Sequence, residues 1–265
     1  MSLPVLPVLS SDCSQCSGLC CVLLPFSKDD GFKVSKSGGT PCANLAGDDS
    51  CGIHDTLRRD GWVGCTRFEC FGAGQHVTRV TYAGASWRDQ SDLGEMAAVL
   101  SVVRGLHEML LHLRTATRRA PDVVPDGLVD EIVALDHADP VTLLTADVDD
   151  LHARVGGVLR EASARVRGDS AGAGVDLSYD DLAGQDLRGR DLRRATLRGA
   201  VLIRADLRGL ALDDTDLLGV DLRDADVRGT DLSAALFLTQ PQVNGTRGDA
   251  ATVLPDGMDR PGHWT

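Results

Sequence analysis

The sequence predicts a mixed fold: an irregular cysteine-rich head, a helical middle and a C-terminal solenoid. Three observations carry this. All eight cysteines lie between Cys13 and Cys70, apolar residues recur at steps of three and four between residues 91 and 118, and from residue 177 an apolar residue returns at every fifth position. A period of five fits neither the 3.6 of a helix nor the 2 of a strand, and a repeat of fixed length signals stacked coils. The 265 residues therefore divide into a cysteine-rich zone at 1–87, a helical zone at 88–170, a periodic zone at 171–240 and a tail at 241–265.

In the head, Cys13-x2-Cys16-x3-Cys20-Cys21 is followed by Cys42, Cys51, Cys65 and Cys70. A Cys-x2-Cys pair on a tight turn sets two thiolates on one side of the chain, where two more complete a tetrahedron around a metal. Eight cysteines suffice for two such sites. Adjacent Cys20 and Cys21 point apart in extended chain, so they serve different metals or bridge one cluster. The N-terminal run MSLPVLPVLSSDC has no basic or apolar leader pattern. That favours a cytoplasmic protein with metal-bound thiols over a disulfide framework. Zinc is the expected metal, with iron or an iron–sulfur cluster as the alternative, since thiolates suit both.

Cys13-x2-Cys16-x-Gly18-x-Cys20-Cys21, Cys42-Ala43-Asn44-Leu45, Cys51-Gly52-Ile53-His54 and the Cys65/Cys70 pair together resemble the zinc- or iron-chelating CxxCxxxCC domains. That family includes flagellin lysine methylases. The resemblance makes Cys13, Cys16, Cys20, Cys21, Cys42, Cys51, Cys65 and Cys70 candidate ligands, with His54 a further candidate where the family often carries Tyr. Leu57-Arg58-Arg59 stands where the family has Arg-Pro, which weakens any transfer of enzymatic activity.

The middle zone reads as a long helix over 91–118. Asp92 and Glu95 are placed as a capping box, and Leu93, Met96, Leu100, Val103, Leu106, Leu110 and Leu113 form its apolar face. Pro125-Asp126-Gly127 marks a turn, with further helices expected at 128–135 and 148–166. His107, His112 and His152 read as packed or exposed helical residues rather than ligands. No apolar run approaches the roughly 18–20 residues that span a bilayer, so no membrane association is expected. Gly72-Ala73-Gly74-Gln75 lacks the pattern of a phosphate loop and reads as a turn leaving the metal site.

The periodic zone fills thirteen of thirteen slots, from Leu177 through Leu182, Leu187 and onward to Leu232 and Phe237. Asp precedes nine of these centres, and Ala195, Ala200, Ala205 and Ala225 stand two places before theirs. Segments such as Ala205-Asp206-Leu207-Arg208-Gly209 resemble pentapeptide repeats. The resemblance implies a right-handed quadrilateral β-helix, four repeats to a coil, with the central residue and the small residue two before it pointing inward. Residues twenty apart then stack, which sets Asp186-Leu187-Arg188, Asp206-Leu207-Arg208 and Asp226-Val227-Arg228 in register. Asp180, Gln185 and Arg190 break the small-residue rule, so the first coil is expected to be irregular or covered by the helical zone. The tail is a candidate cap for the other end, or a dimerisation element. The whole order, with Cys70-Phe71-Gly72-Ala73-Gly74-Gln75 and the closing Thr252-Val253-Leu254-Pro255 and Pro261-Gly262-His263-Trp264, resembles cysteine-rich pentapeptide-repeat proteins of actinobacteria.

The net charge is −12, of which −6 falls in 88–170 and −4 in 171–240. Half the excess sits on ordinary solvated helix faces, and its sign speaks against direct nucleic-acid binding. The first functional reading is a cytoplasmic metal-binding scaffold with a protein partner. The alternatives are an iron-dependent enzyme modifying a peptide or protein, which needs an open coordination position, and a DNA mimic acting on DNA gyrase, which needs a long one-signed face.

Overall fold

The computed structural model describes residues 5–168 and 174–265. The expected boundary at 170/171 lies outside the described residues. Helices are α1 Leu19–Leu23, α2 Val63–Arg67, α3 Ala73–His76, α4 Leu93–Arg119, α5 Leu128–Asp136, α6 Pro140–Thr145, α7 Val148–Arg167 and α8 Gln240–Asn244. The chain forms two compact units, one of Met1–Arg114 with Val124–Gly157, the other of Thr115–Val123 with Val158–Thr265.

In the first unit, the heptad-like stripe of α4 is buried as its spacing requires: Met96, Val99, Val103, Leu106, Leu110 and Leu113 are all without solvent exposure. Its start is half of the expected box. Asp92 Oδ1 accepts from Gly94 N (2.8 Å) and Glu95 N (3.3 Å), but the Glu95 carboxylate accepts from the Tyr82 hydroxyl at 3.1 Å instead of turning back. Among the described residues, α4 is long and apolar enough to cross a bilayer by length and composition. Its apolar side chains are spent on the protein core. Helix α6, absent from the sequence reading, is capped by Asp139, whose Oδ1 accepts from Val141 N and Thr142 N, with Pro140 at the first helical position. The head packs around Phe26, Phe32 and Trp62, with the two phenylalanines stacked at 4.3 Å and Trp62 edge-on to both. Gly64 is required beneath Phe32, because a Cβ there would lie 2.1 Å from the ring.

The second unit is the solenoid. Parallel bridges join residues twenty apart: Asp176 to Thr196, Asp181 to Val201, Asp186 to Asp206, Thr196 to Asp216, Val201 to Asp221 and Asp206 to Asp226. Each coil therefore has four five-residue sides. Among the described residues these remain isolated bridges rather than the strands a β-helix suggests, because most of each repeat is used in turning. The turns carry a left-handed residue two places after the centre, six of them glycines from Gly184 to Gly229 and five others, Tyr179, Arg194, Arg204, Asp214 and Asp224. The nine Asp residues preceding a centre all do one job. The Oδ1 of each of Asp176, Asp181, Asp186, Asp191, Asp206, Asp216, Asp221, Asp226 and Asp231 accepts from the backbone N–H two residues on, closing the turn.

The central residues from Leu182 to Phe237 are buried, as are Ala195, Ala200, Ala205 and Ala225. Where Thr replaces the small residue, its hydroxyl reaches back one coil: Thr215 to the Leu192 carbonyl (2.7 Å), Thr230 to Leu207 (2.8 Å) and, in the tail, Thr252 to Val227 (2.9 Å). These positions thus face the preceding coil. This explains the departures in the first coil: Asp180, Gln185 and Arg190 are exposed because no repeat precedes them. The helical segments of this unit meet the side of the coils, where Arg119 donates to the Ala234 carbonyl (3.1 Å), Arg167 to Arg194 (3.3 Å) and Arg198 to Leu159 (3.2 Å). Arg198 also makes a 2.7 Å ion pair with fully buried Asp216. At the other end the tail adds bridges from Arg247 to Asp226 and from Val253 to Asp231, while Val243, Leu254, Met258 and Trp264 pack on the core.

Candidate metal centre

Short elements set the eight thiols. Cys13 begins a 3₁₀ turn capped by Asp12, and Cys16 closes it. Cys20 and Cys21 lie in α1, not in extended chain, so their sulfurs are neighbours joined by a hydrogen bond rather than directed apart. Lys36 Nζ donates to the Val22 carbonyl (3.1 Å) at the end of this helix and its charge also reaches Cys21. The backbone N–H of Cys42 donates to the Cys21 carbonyl (2.9 Å), and Cys51 sits across an antiparallel bridge from Leu45. Cys65 lies in α2, and Cys70 precedes α3. Gly72-Ala73-Gly74-Gln75 opens α3 rather than forming a turn away from the thiols. Gly74 N donates to Cys70 Sγ at 3.5 Å, and a Cβ at Gly74 would lie 2.9 Å from Cys16 Sγ and 3.6 Å from Cys70 Sγ. The absence of a side chain there lets the two sulfurs approach one backbone N–H.

All eight cysteines are free, and all but Cys13 are partly shielded from solvent. Burial, then the thiols of Cys16, Cys70 and Cys21, push Cys13 up to about 11. Burial likewise raises Cys16 and Cys51, the latter beside Cys21 and Cys42. Burial pushes Cys65 up to about 12, with smaller contributions from Cys21, Cys42, Cys51 and Cys13. Cys20 donates to Cys21 and is raised. Cys21 is brought down to about 7 by that bond, against burial and with help from Lys36. Such crowding leaves several thiols that a bound cation would stabilise as thiolates. Ser11 Oγ, which donates to Glu69, lies 3.0 Å from Cys70 Sγ, and Asn44 N donates to Cys42 Sγ at 3.5 Å. The backbone donors from Gly74 to Cys70 and from Asn44 to Cys42 suit thiolate ligands. His54 is separate from this crowd: its ring is mostly exposed and faces the Asp55 carboxylate at 3.6 Å.

A second group was not anticipated from the sequence. His76 at the end of α3, His107 in α4 and Asp136 at the end of α5 are all buried, and their ligand atoms lie within 4.8 Å of one another. Residues 76, 107 and 136 share no motif spacing, and each looks like a lone residue on its own element.

Comparison with known proteins follows these features. The family model for pentapeptide repeats, in eight copies, matches residues 181–217 and 201–237. An uncharacterized protein, YybG, from Bacillus subtilis (strain 168) is 48% identical over 266 residues, covering 97% of this chain and 95% of that protein. Two solved structures are also similar. A pentapeptide repeat protein (Rfr23) from the cyanobacterium Cyanothece 51142 is 31% identical over 30% of this chain and 53% of its own, with a TM-score of 0.27. A pentapeptide repeat protein from the Arabidopsis thaliana thylakoid lumen is 31% identical over 36% of this chain and 64% of its own, also with a TM-score of 0.27. The match thus spans less than two thirds of either solved chain. The coils of twenty, the repeat match and the nearly full-length likeness to YybG agree, and the chain belongs to the pentapeptide-repeat proteins, in one family with YybG.

Proposed function

We propose that this chain is a metal-binding interaction scaffold: its head holds zinc through cysteine thiolates, and its solenoid presents a docking face to a protein partner. The observation that carries the reading is the gathering of free thiols in the head: Cys16 and Cys70 both lie against Gly74, and Cys13, Cys51 and Cys65 all feel the charge of Cys21. Eight thiols suffice for two tetrahedral sites, the arrangement of structural zinc. His54 stands apart from them. The head has short helices and few long elements, so bound metal supplies folding free energy that its own core lacks. The cytoplasm is the compartment that keeps such thiols reduced.

The solenoid belongs to the same reading as a right-handed quadrilateral β-helix, supported by its twenty-residue bridge spacing. Its acidic residues close turns and pair with Arg along the 186/206/226 column: Arg188 to Asp186 at 2.7 Å and to Asp206 at 3.2 Å, Arg208 to Asp206 at 2.6 Å, and Arg228 to Asp226 at 2.6 Å. A face of alternating sign suits a protein surface better than the one-signed rod that DNA mimicry requires.

Metal analysis of the full chain, purified anaerobically without added metal, tests the proposal. Two zinc ions bound through sulfur, reduced by Cys13→Ser or Cys65→Ser, are the expected result. A folded chain that binds no sulfur-coordinated metal refutes it, and a visible iron–sulfur spectrum replaces zinc with a cluster.

A further inference from the structure

The geometry points to a third cation site, built from His76, His107 and Asp136, that takes a divalent transition metal through nitrogen and oxygen ligands. The argument is one of proton accounting. His107 Nδ1 lies 2.6 Å from the Phe71 main-chain oxygen, which can only accept, so this nitrogen carries a hydrogen. In the neutral ring Nε2 is then a bare lone pair. That lone pair faces Asp136 Oδ1 at 3.0 Å, where a carboxylate also offers only lone pairs. Two acceptors in contact, both on side chains with no solvent exposure, need a cation between them.

His76 lies on the other side. Its Nε2 donates to the Asp136 main-chain oxygen (2.9 Å) and stands 3.4 Å from Oδ2, so it would exchange that carbonyl for the ion on binding. Oδ2 itself makes no hydrogen bond, although it is wholly buried. The neighbouring His137 turns its Nδ1 to the Val133 carbonyl (2.9 Å) and stands 3.8 Å from Oδ2, so it does not meet the need. The sum is one buried carboxylate with an unmet oxygen, one imidazole lone pair against it and a second imidazole within reach.

A proton on His107 balances the charge but leaves Oδ2 unmet. A divalent metal can engage both histidines and the carboxylate at once. Two imidazoles and a carboxylate suit zinc or a similar borderline ion. The Nδ1–H bond to the Phe71 carbonyl is the outer hydrogen bond that orients a metal-bound histidine. Each ligand comes from a different helix, so the ion would tie the ends of α3 and α5 to the middle of α4. Burial of all three ligands marks this as a structural site.

The site stands apart from the thiolate proposal and is tested apart from it. The full-length reduced chain is titrated with Co²⁺ and followed by visible and near-ultraviolet absorption. Cobalt bound by thiolates gives intense sulfur-to-metal charge transfer, whereas nitrogen and oxygen ligands give only weak visible bands. The expected result is one equivalent of the second kind, lost in His107→Gln and in Asp136→Asn while any sulfur-type absorption persists. If the wild-type chain binds no cobalt beyond the sulfur-type ions, the proposal is overturned whether or not the variants fold. Unchanged cobalt stoichiometry in a folded His107→Gln chain overturns it equally. Loss of sulfur-type absorption alone counts against the thiolate reading and leaves this site intact.

Discussion

Replacing Leu207 by Ala tests the solenoid core at its centre. Leu207 is 1% exposed and stands in the column with Leu187 and Val227, both fully buried. Its coil is fixed to its neighbours by Leu187 N to the Asp206 carbonyl (3.0 Å) and Leu207 N to the Asp226 carbonyl (2.9 Å). The substitution removes the equivalent of three methylene groups, about 2.4 kcal/mol of transfer free energy at roughly 0.8 kcal/mol each. The coils cannot close the space without breaking the bonds that set their spacing, so a cavity remains. The loss should therefore fall in the upper part of the usual Leu→Ala range, about 3–5 kcal/mol. Fluorescence reads it locally. Trp264 packs on the solenoid core, while Trp62 and Trp87 lie in the first unit, so a Trp62→Phe, Trp87→Phe background leaves one reporter. Urea unfolding of the full chain followed through Trp264 gives the free energy. A loss below about 1 kcal/mol in this transition would show that Leu207 does not lie in a rigid column, and the register would have to be redrawn.

The other predictions concern turns and charge. Asp221→Ala removes the acceptor for Arg223 N (3.1 Å) and lowers solenoid stability by about 1 kcal/mol, whereas Asp221→Asn, which keeps the oxygen, costs less; urea midpoints of the two variants decide. Arg204→Gly relieves a non-glycine φ of 58° and raises the thermal midpoint, with a gain of about 0.5–1 kcal/mol after the added freedom of the unfolded chain is counted. Asp186 and Asp191 are held down to about 2, first by hydrogen bonds from Arg188 and Arg193. The unfolded chain therefore binds their protons at higher pH than the folded one, so the stability they contribute is full above the ordinary carboxyl value of 3.8 and is lost as pH falls from there towards 2. Acid titration of the Trp264 signal measures this, and a solenoid whose stability is flat across that window contradicts it.

The repeat was legible because its period is imposed by geometry. One inward residue per side fixes the Leu column, and the turn fixes both the Asp before it and the left-handed residue after it. The same logic covered the burial of Ala195, Ala200 and Ala205. It failed for Asp180, Gln185 and Arg190, because a periodic pattern does not say which end of the stack an inward position faces. Helices α4, α5 and α7 were legible from apolar spacing, but α6 is six residues long, too short for a period to show. In the head, cysteine positions were plain and the approach of their sulfurs was not. Cys20 and Cys21 are adjacent in sequence, yet their thiol neighbours come from residues up to some forty positions away, a matter of chain path. His107 shows the limit most clearly. On α4 it is one polar residue in an apolar stripe, and only Phe71 and Asp136, brought from other segments, give its two nitrogens different tasks.

The acidity of the solenoid has a structural cause. Nine of its Asp residues precede a centre, and every one of the nine spends an oxygen on the turn behind it. Asp is favoured there because a short acceptor on a fixed backbone satisfies an N–H that the turn would otherwise leave to water. The repeat thus brings a negative charge to nine of its thirteen sides, whatever the protein does. Stacking then sets these charges in columns about 4.8 Å apart, close enough for like charges to repel. The Arg two residues after Asp186, Asp191, Asp206, Asp221 and Asp226 answers that repulsion within its own repeat. Along one column it also reaches the next coil, where the Asp side chains become steadily less exposed, from 56% at Asp186 through 23% at Asp206 to 8% at Asp226. Each pair contributes little alone. Together they let the fold stack acidic turns without becoming an acidic rod, and so the acidity of the coils is a consequence of turn chemistry that the arginines largely cancel.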